Sequence, residues 1–195
     1  MIEQYLRPKL EKPLFQPLIK LLVKLNITPN HITLISLILG LSTIPLLMTH
    51  HPFTAAIFLW LSGLGDVIDG GLARESEQTS DAGTILDIVS DRCVEFAVIF
   101  GLFLVDPTRA LITILMLGSV LICVTSFLVV GIVTEKSGLK SFYYSPGLME
   151  RLEAFIVFTL MMLFPGYFNL LGWAFIGLVT LTACIRMAQF TKSCT

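Results

Sequence analysis

Four aspartates, Asp66, Asp69, Asp87 and Asp91, fall within one stretch that reads D-V-I-D-G-G-L-A-R-E-S-E-Q-T-S-D-A-G-T-I-L-D-I-V-S-D and is flanked on both sides by strongly apolar sequence. A carboxylate carried into a bilayer costs about 2.5 kcal/mol or more unless it is paired or metal-bound, so acidic residues in such a setting point to a site. Residues three or four apart on a helix share a face. Asp66 and Asp69 form one such pair, Asp87 and Asp91 the other. Two helices meeting on these faces would offer four hard oxygen donors and no soft one, a set suited to one or two Mg2+ or Mn2+ ions. The alternative is an acidic, solvated loop.

The gaps between these residues are specific. Asp66, Asp69, Gly70, Ala73, Arg74, Gly83, Asp87 and Asp91 fit D-x2-D-G-x2-A-R-x8-G-x3-D-x3-D. That pattern resembles the signature of the CDP-alcohol phosphotransferases, membrane enzymes that make phospholipid head groups. The resemblance implies displacement of CMP from a CDP-linked alcohol by an acceptor hydroxyl. It implies Asp66, Asp69 and Asp87 as metal ligands, and Asp91 as ligand and general base. Gly70 and Ala73 are small where a nucleotide must come close to backbone, and Arg74 offers a planar fork of donors to a phosphate oxygen.

Other positions carry the resemblance less exclusively. The run Thr28-Pro29-Asn30-His31-Ile32-Thr33 is similar to the stretch these enzymes place before their first span, which implies donor contacts from Asn30 and Thr33; it reads equally as a capped helix start. Ser80 aligns with a further donor-contacting position, and is otherwise a solvated loop serine. Arg151 and Arg186 match positions where members that transfer to inositol phosphate keep basic residues for the acceptor. Arg151 reads as well as a snorkelling interfacial cation.

These residues need a membrane scaffold, and composition supplies one. The chain has 195 residues, is 55% hydrophobic and only 14% charged, with a mean hydropathy of +0.84, far from an average soluble domain. Apolar runs at 32–49, 53–72, 84–105, 109–133, 148–164 and 168–190 each approach the ~20 residues a helix needs to cross a bilayer core. The expected fold is all-α: one domain over 1–195, with an interfacial amphipathic helix in 1–31 and six transmembrane helices in 32–190. Turn signals at His51-Pro52, Asp106-Pro107, Ser137-Gly138 and Pro165-Gly166 separate the spans.

Charge sets the expected orientation. With six spans, Arg7, Lys9, Lys12, Lys20, Lys24, Arg74, Arg92, Lys136, Lys140, Arg151, Arg186 and Lys192 all fall on one side and Arg109 alone on the other. The positive-inside rule then puts both termini in the cytoplasm, in what the resemblance makes a bacterial inner membrane. Asp66 lies about 20 Å along the second span from Phe53, towards the cytoplasmic face. The segment before the first span mixes Leu14, Phe15, Leu18, Ile19, Leu21 and Leu22 with Lys20 and Lys24, as an interfacial helix attracted to anionic lipid does. Pro8, Pro13 and Pro17, several charges and no small-residue cleavage site are not what a secretory leader is expected to carry. Cys93, Cys123, Cys184 and Cys194 lack metal-ligand spacing and read as core filler. His31, His50 and His51 read as interfacial.

The expected donor is CDP-diacylglycerol and the acceptor a polar alcohol. The fourth apolar run carries Gly131 where a basic residue would favour a phosphorylated acceptor, so an unphosphorylated or weakly charged one is preferred. The resemblance also implies a homodimer, and a net charge of −1 gives no reason to expect a nucleic-acid partner. Two alternatives stand beside this reading. One is the same chemistry with a soluble CDP-alcohol donor and diacylglycerol acceptor. The other is a small transporter, which would require inverted repeats and broken helices.

Overall fold

The computed structural model describes residues 15–136 and 148–193, with side chains described through 133 and 191 respectively. Among these residues the structure is helical and contains no strand. The helices are α1 (Gln16–Lys24), α2 (Pro29–Leu41), α3 (Thr43–Met48), α4 (Pro52–Glu75), α5 (Asp81–Val105), α6 (Ala110–Lys136), α7 (Arg151–Leu163) and α8 (Phe168–Ser193). They form two compact units that divide in sequence between Pro107 and Thr108.

In the first unit, α2 packs against both α4 and α5. The contact face of α2 and its continuation α3 is Thr33, Ser36, Gly40, Thr43 and Leu47, all buried and spaced by three or four residues. Its small members allow close approach. A Cβ at Gly65 of α4 would overlap Ser36 Oγ, and one at Gly40 would overlap the Val94 methyls of α5. The helix breaks at Ser42 because Pro45 has no N–H to give the carbonyl of Leu41. Helix α1 packs on α4 through the buried Ile19 and leaves Leu18, Leu21, Lys20 and Lys24 exposed. It covers only part of the expected interfacial segment; Arg7, Lys9, Lys12, Pro8 and Pro13 lie outside the described residues.

Helix α4 ends with Glu77 at φ 55° and the N–H of Gln78 bonded to the carbonyl of Ala73 at 3.0 Å, a left-handed stop. Three residues later Ser80 caps α5, its hydroxyl accepting the N–H of Gly83 at 3.1 Å. The two carboxylate-bearing helices are therefore consecutive, joined by five residues.

In the second unit α6 and α8 pack along each other. Gly172 admits Ile112 at their interface, where a Cβ would overlap it. Helix α7 joins α8 through Thr182, whose hydroxyl accepts the N–H groups of Leu148 and Met149 at 3.1 Å, and through the Phe158–Phe175 ring contact.

Among the described residues, four segments are long and apolar enough to cross a membrane: Pro29–Met48, Pro52–Glu75, Pro107–Val133 and Pro165–Thr191. The six expected runs all contain helix, and two differ from the expected spans in character. Helix α5 has 25 residues but carries Asp87, Asp91, Arg92 and Glu95 within it. Helix α7 has only 13, about 20 Å, because it begins at a reciprocal cap between Glu150 and Glu153 and stops before Pro165. The turn expected at Ser137-Gly138 lies outside the described residues; the other three occur where expected.

Candidate metal centre and donor site

The sequence spacing puts Asp66 and Asp69 on one face of α4 and Asp87 near the start of α5, and the close packing of α2 against both helices brings the faces together. Carboxylate oxygens of Asp66, Asp69 and Asp87 all lie within 4.8 Å of one another. Asp69 is buried, Asp66 and Asp87 half-buried. Asp91 stands outside this trio, one turn further along α5, with Arg92 Nη2 at 3.8 Å from its Oδ2. Arg92 also pairs through Nη1 with Glu95 at 2.8 Å, and Glu95 is only 7% exposed. Nothing in the signature marks this ion pair. An opposite charge three residues from Arg92 was its only trace in the sequence.

The donor-contacting candidates divide into three groups. Gly70, Ala73 and Arg74 occupy the last turns of α4, the first two half-buried and Arg74 exposed. Asn30 and Ser80 converge on the start of α5: a Cβ built on Gly83 would stand 3.1 Å from Ser80 Oγ and 3.4 Å from Asn30 Oδ1. Ser80 is thus also a helix cap, and Asn30 lies in the first turn of α2, after the N-cap Thr28. Thr33 differs from both. It is 5% exposed, and its hydroxyl donates to Asp69 Oδ2 at 2.6 Å.

The acceptor candidates lie in the second unit. Arg151 opens α7 with its guanidinium 5.3 Å from the Phe155 ring centroid. Arg186 on α8 reaches α6, where Nη1 donates to the Cys123 carbonyl at 3.1 Å and lies 3.4 Å from Ser126 Oγ, with the guanidinium 5.2 Å from the Phe127 centroid. Part of its donor capacity is therefore engaged in helix packing. Lys140 and the rest of 137–147 lie outside the described residues.

The trio suits a hard divalent ion on its own chemistry: three carboxylates, no sulfur or imidazole, and a buried hydroxyl bonded to one of them.

A family model described as CDP-alcohol phosphatidyltransferase matches residues 26–185. The chain is 34% identical to the inner membrane protein YnjF of Escherichia coli strain K12, covering 96% of this chain and 94% of that one. It is 32% identical to the phosphatidylinositol phosphate synthase of Corynebacterium glutamicum over 73% of this chain and 65% of that one. Among solved structures, the phosphatidylinositol phosphate synthase of Mycobacterium tuberculosis with CDP-DAG bound superposes with a TM-score of 0.72 at 21% identity, covering 91% and 93% of the two chains. A second structure of that enzyme, with manganese and citrate, gives the same TM-score. At that identity the likeness supports the fold. The apolar helices and the full-length similarity to an inner membrane protein make this an integral membrane protein. With the family match running from before α2 into α8 and the complete aspartate signature on α4 and α5, the chain belongs to the CDP-alcohol phosphatidyltransferase family.

Proposed function

We propose that the protein transfers a phosphatidyl group from CDP-diacylglycerol to the hydroxyl of a polar alcohol and releases CMP. The observation that carries this reading is the Asp66–Asp69–Asp87 cluster, formed within the family signature from two consecutive helices. Asp66, Asp69 and Asp87 would hold Mg2+ or Mn2+. When bound, one or two such ions supply Lewis-acid stabilisation of the diphosphate and its leaving oxygen. The solved relative with manganese supports this choice of ion.

The chain's own residues do the rest. Arg74 donates to a phosphate oxygen, Gly70 and Ala73 keep the backbone of α4 approachable, and Asn30 and Ser80 border the donor where α2 and α5 begin. Asp91 takes the proton of the acceptor hydroxyl. That oxygen then bonds to the phosphatidyl phosphorus, and the bond from phosphorus to CMP breaks with its electron pair leaving on CMP. Asp91 sits one turn from Asp87, on the same face but outside the ligand trio, a placement that suits a base more than a ligand.

The working scaffold is one domain of six spans with both termini cytoplasmic and the aspartates towards that face; the family resemblance supports a homodimer. The favoured acceptor is unphosphorylated or weakly charged, because Arg186 is partly engaged by Cys123 and α6 carries Gly131 where a cation would be expected. Relatives named for phosphatidylinositol phosphate make inositol phosphate the competitor to test.

Purified protein offered CDP-diacylglycerol, Mn2+ and free inositol, glycerol, serine or their phosphates should release CMP with one of the alcohols and stop in excess EDTA. Undiminished turnover in EDTA would sink the metal-dependent mechanism. Product formed only from a phosphorylated acceptor, and lost in Arg151→Ala, would reverse the acceptor preference. Turnover only with a soluble CDP-alcohol and diacylglycerol would reverse the direction of transfer.

A further inference from the structure

Thr33 is 36 residues from Asp69 in sequence, yet the two side chains meet at 2.6 Å and are 5% and 4% exposed. A helical threonine ordinarily returns its hydroxyl to the carbonyl four residues back. Thr33 has that option, with Pro29 O at 3.2 Å. It holds one proton, and the bond to the carboxylate is the shorter by 0.6 Å. The hydroxyl is thus directed to Asp69.

The consequence for Asp69 is geometric. Its carboxylate shares space with those of Asp66 and Asp87, and mutual repulsion favours any rotation that separates them. A donor fixed on Oδ2 resists that rotation and leaves the other oxygen and the remaining lone pairs for an ion. The donor is itself rigid. Ser36, one turn along α2, stands where Gly65 of α4 lacks a Cβ, and a Cβ at Gly40 would likewise overlap Val94 of α5. The register between the hydroxyl and the carboxylate is therefore set by helix packing rather than by a mobile side chain.

We propose that Thr33 is a positioning residue for metal binding, holding Asp69 in its ligating orientation. This inference rests on the reading of Asp66, Asp69 and Asp87 as ion ligands. It assigns to Thr33 a task in the apo and metal-bound protein, separate from any contact with the nucleotide.

The test is a Mn2+ titration followed by electron paramagnetic resonance, on full-length protein in detergent with no nucleotide present. Thr33→Val keeps the shape and removes the donor, and should weaken Mn2+ binding roughly 10- to 100-fold. Thr33→Ser restores a hydroxyl and should bind within about threefold of wild type, on the same scale of effect. A merely structural Thr33 would instead lower the melting temperature in EDTA and leave Mn2+ affinity of the folded fraction unchanged. Thr33→Ala carries the same expectation as the valine variant should valine not fold. Wild-type-like affinity in Thr33→Val or Thr33→Ala, or equal loss in Thr33→Ser, overturns the inference alone. Absence of Mn2+ uptake by the wild-type protein overturns the ligand assignment and the inference together.

Discussion

Asp66, Asp69 and Asp87 are costly neighbours. Two ionised carboxylates 4.8 Å apart would repel by about 3.5 kcal/mol at an effective dielectric near 20, a repulsion that a bound divalent cation offsets. Neutralising one ligand should separate function from stability: Asp66→Asn or Asp87→Asn should melt no lower than wild type in EDTA, while the rise in melting temperature on adding Mn2+ disappears. A thermal-shift series with and without Mn2+ checks both halves, and a variant that keeps the Mn2+ shift removes that residue from the ligand set. Asp91 belongs to a different test because it lies outside the trio, beside Arg92. Asp91→Asn should lose transfer by a factor on the order of 100 to 10,000, as expected for a missing general base, while CDP-diacylglycerol binding persists. Arg74→Lys should weaken donor binding roughly tenfold, the charge remaining but the two-pronged geometry gone. Donor binding measured by displacement of a labelled CDP-lipid distinguishes these outcomes, since loss of binding in Asp91→Asn would make that residue a ligand.

At the scale of elements, the site depends on how closely α2 can approach α4 and α5. Gly65→Ala places a Cβ on Ser36 Oγ, an overpacking that costs about 1–3 kcal/mol where the neighbours cannot yield. Because Thr33 and Ser36 are one turn apart, the same shift should disturb the Thr33–Asp69 bond, so the variant should lose both melting temperature and Mn2+ affinity. Adding Ser36→Ala removes the clashing oxygen and should recover part of both; the recovery measured in the double variant is the coupling between the helices. The meeting of Asp66, Asp69 and Asp87 was legible beforehand because spacings of three and four survive any detail of packing, as were the turns at His51-Pro52, Asp106-Pro107 and Pro165-Gly166, whereas Asp91 was expected among them and stands outside. What periodicity did not contain was the partner of each face. Thr33 read as a donor contact because its place in the motif was local, whereas its bond to Asp69 depends on a 36-residue separation closed only by folding. The limited length of α7 was hidden for a related reason: hydropathy extends over Leu148 and Met149, but the cap at Glu150 starts the helix at Arg151.

Across the whole molecule, the question is how many helices cross the bilayer. Four segments qualify by length and apolarity, and an even count leaves the termini on one side whether two more are added or not. The loop at Pro107–Arg109 changes side between the two arrangements. With both termini cytoplasmic as proposed, this loop is periplasmic if α5 crosses and cytoplasmic if α5 lies flat. The distribution of charge along α5 favours crossing. Asp81, Asp87, Asp91, Arg92 and Glu95 all precede Phe96, and the ten residues from Phe96 to Val105 are uncharged. Its 25 residues span about 37 Å, more than the ~30 Å hydrocarbon core. Glu95 is buried against Arg92, which reduces the charge the bilayer would meet. For α7, 13 residues give about 20 Å, and the shortfall can be met by the turn at Pro165–Tyr167 and by local thinning of the bilayer. Six spans therefore predict that Thr108→Cys, in a background with the native cysteines replaced, reacts with a membrane-impermeant maleimide added outside intact spheroplasts. A cysteine at Gln78, between α4 and α5, should react only after the membrane is opened. Protection of both positions until lysis would leave α5 on the cytoplasmic surface and rule out six spans.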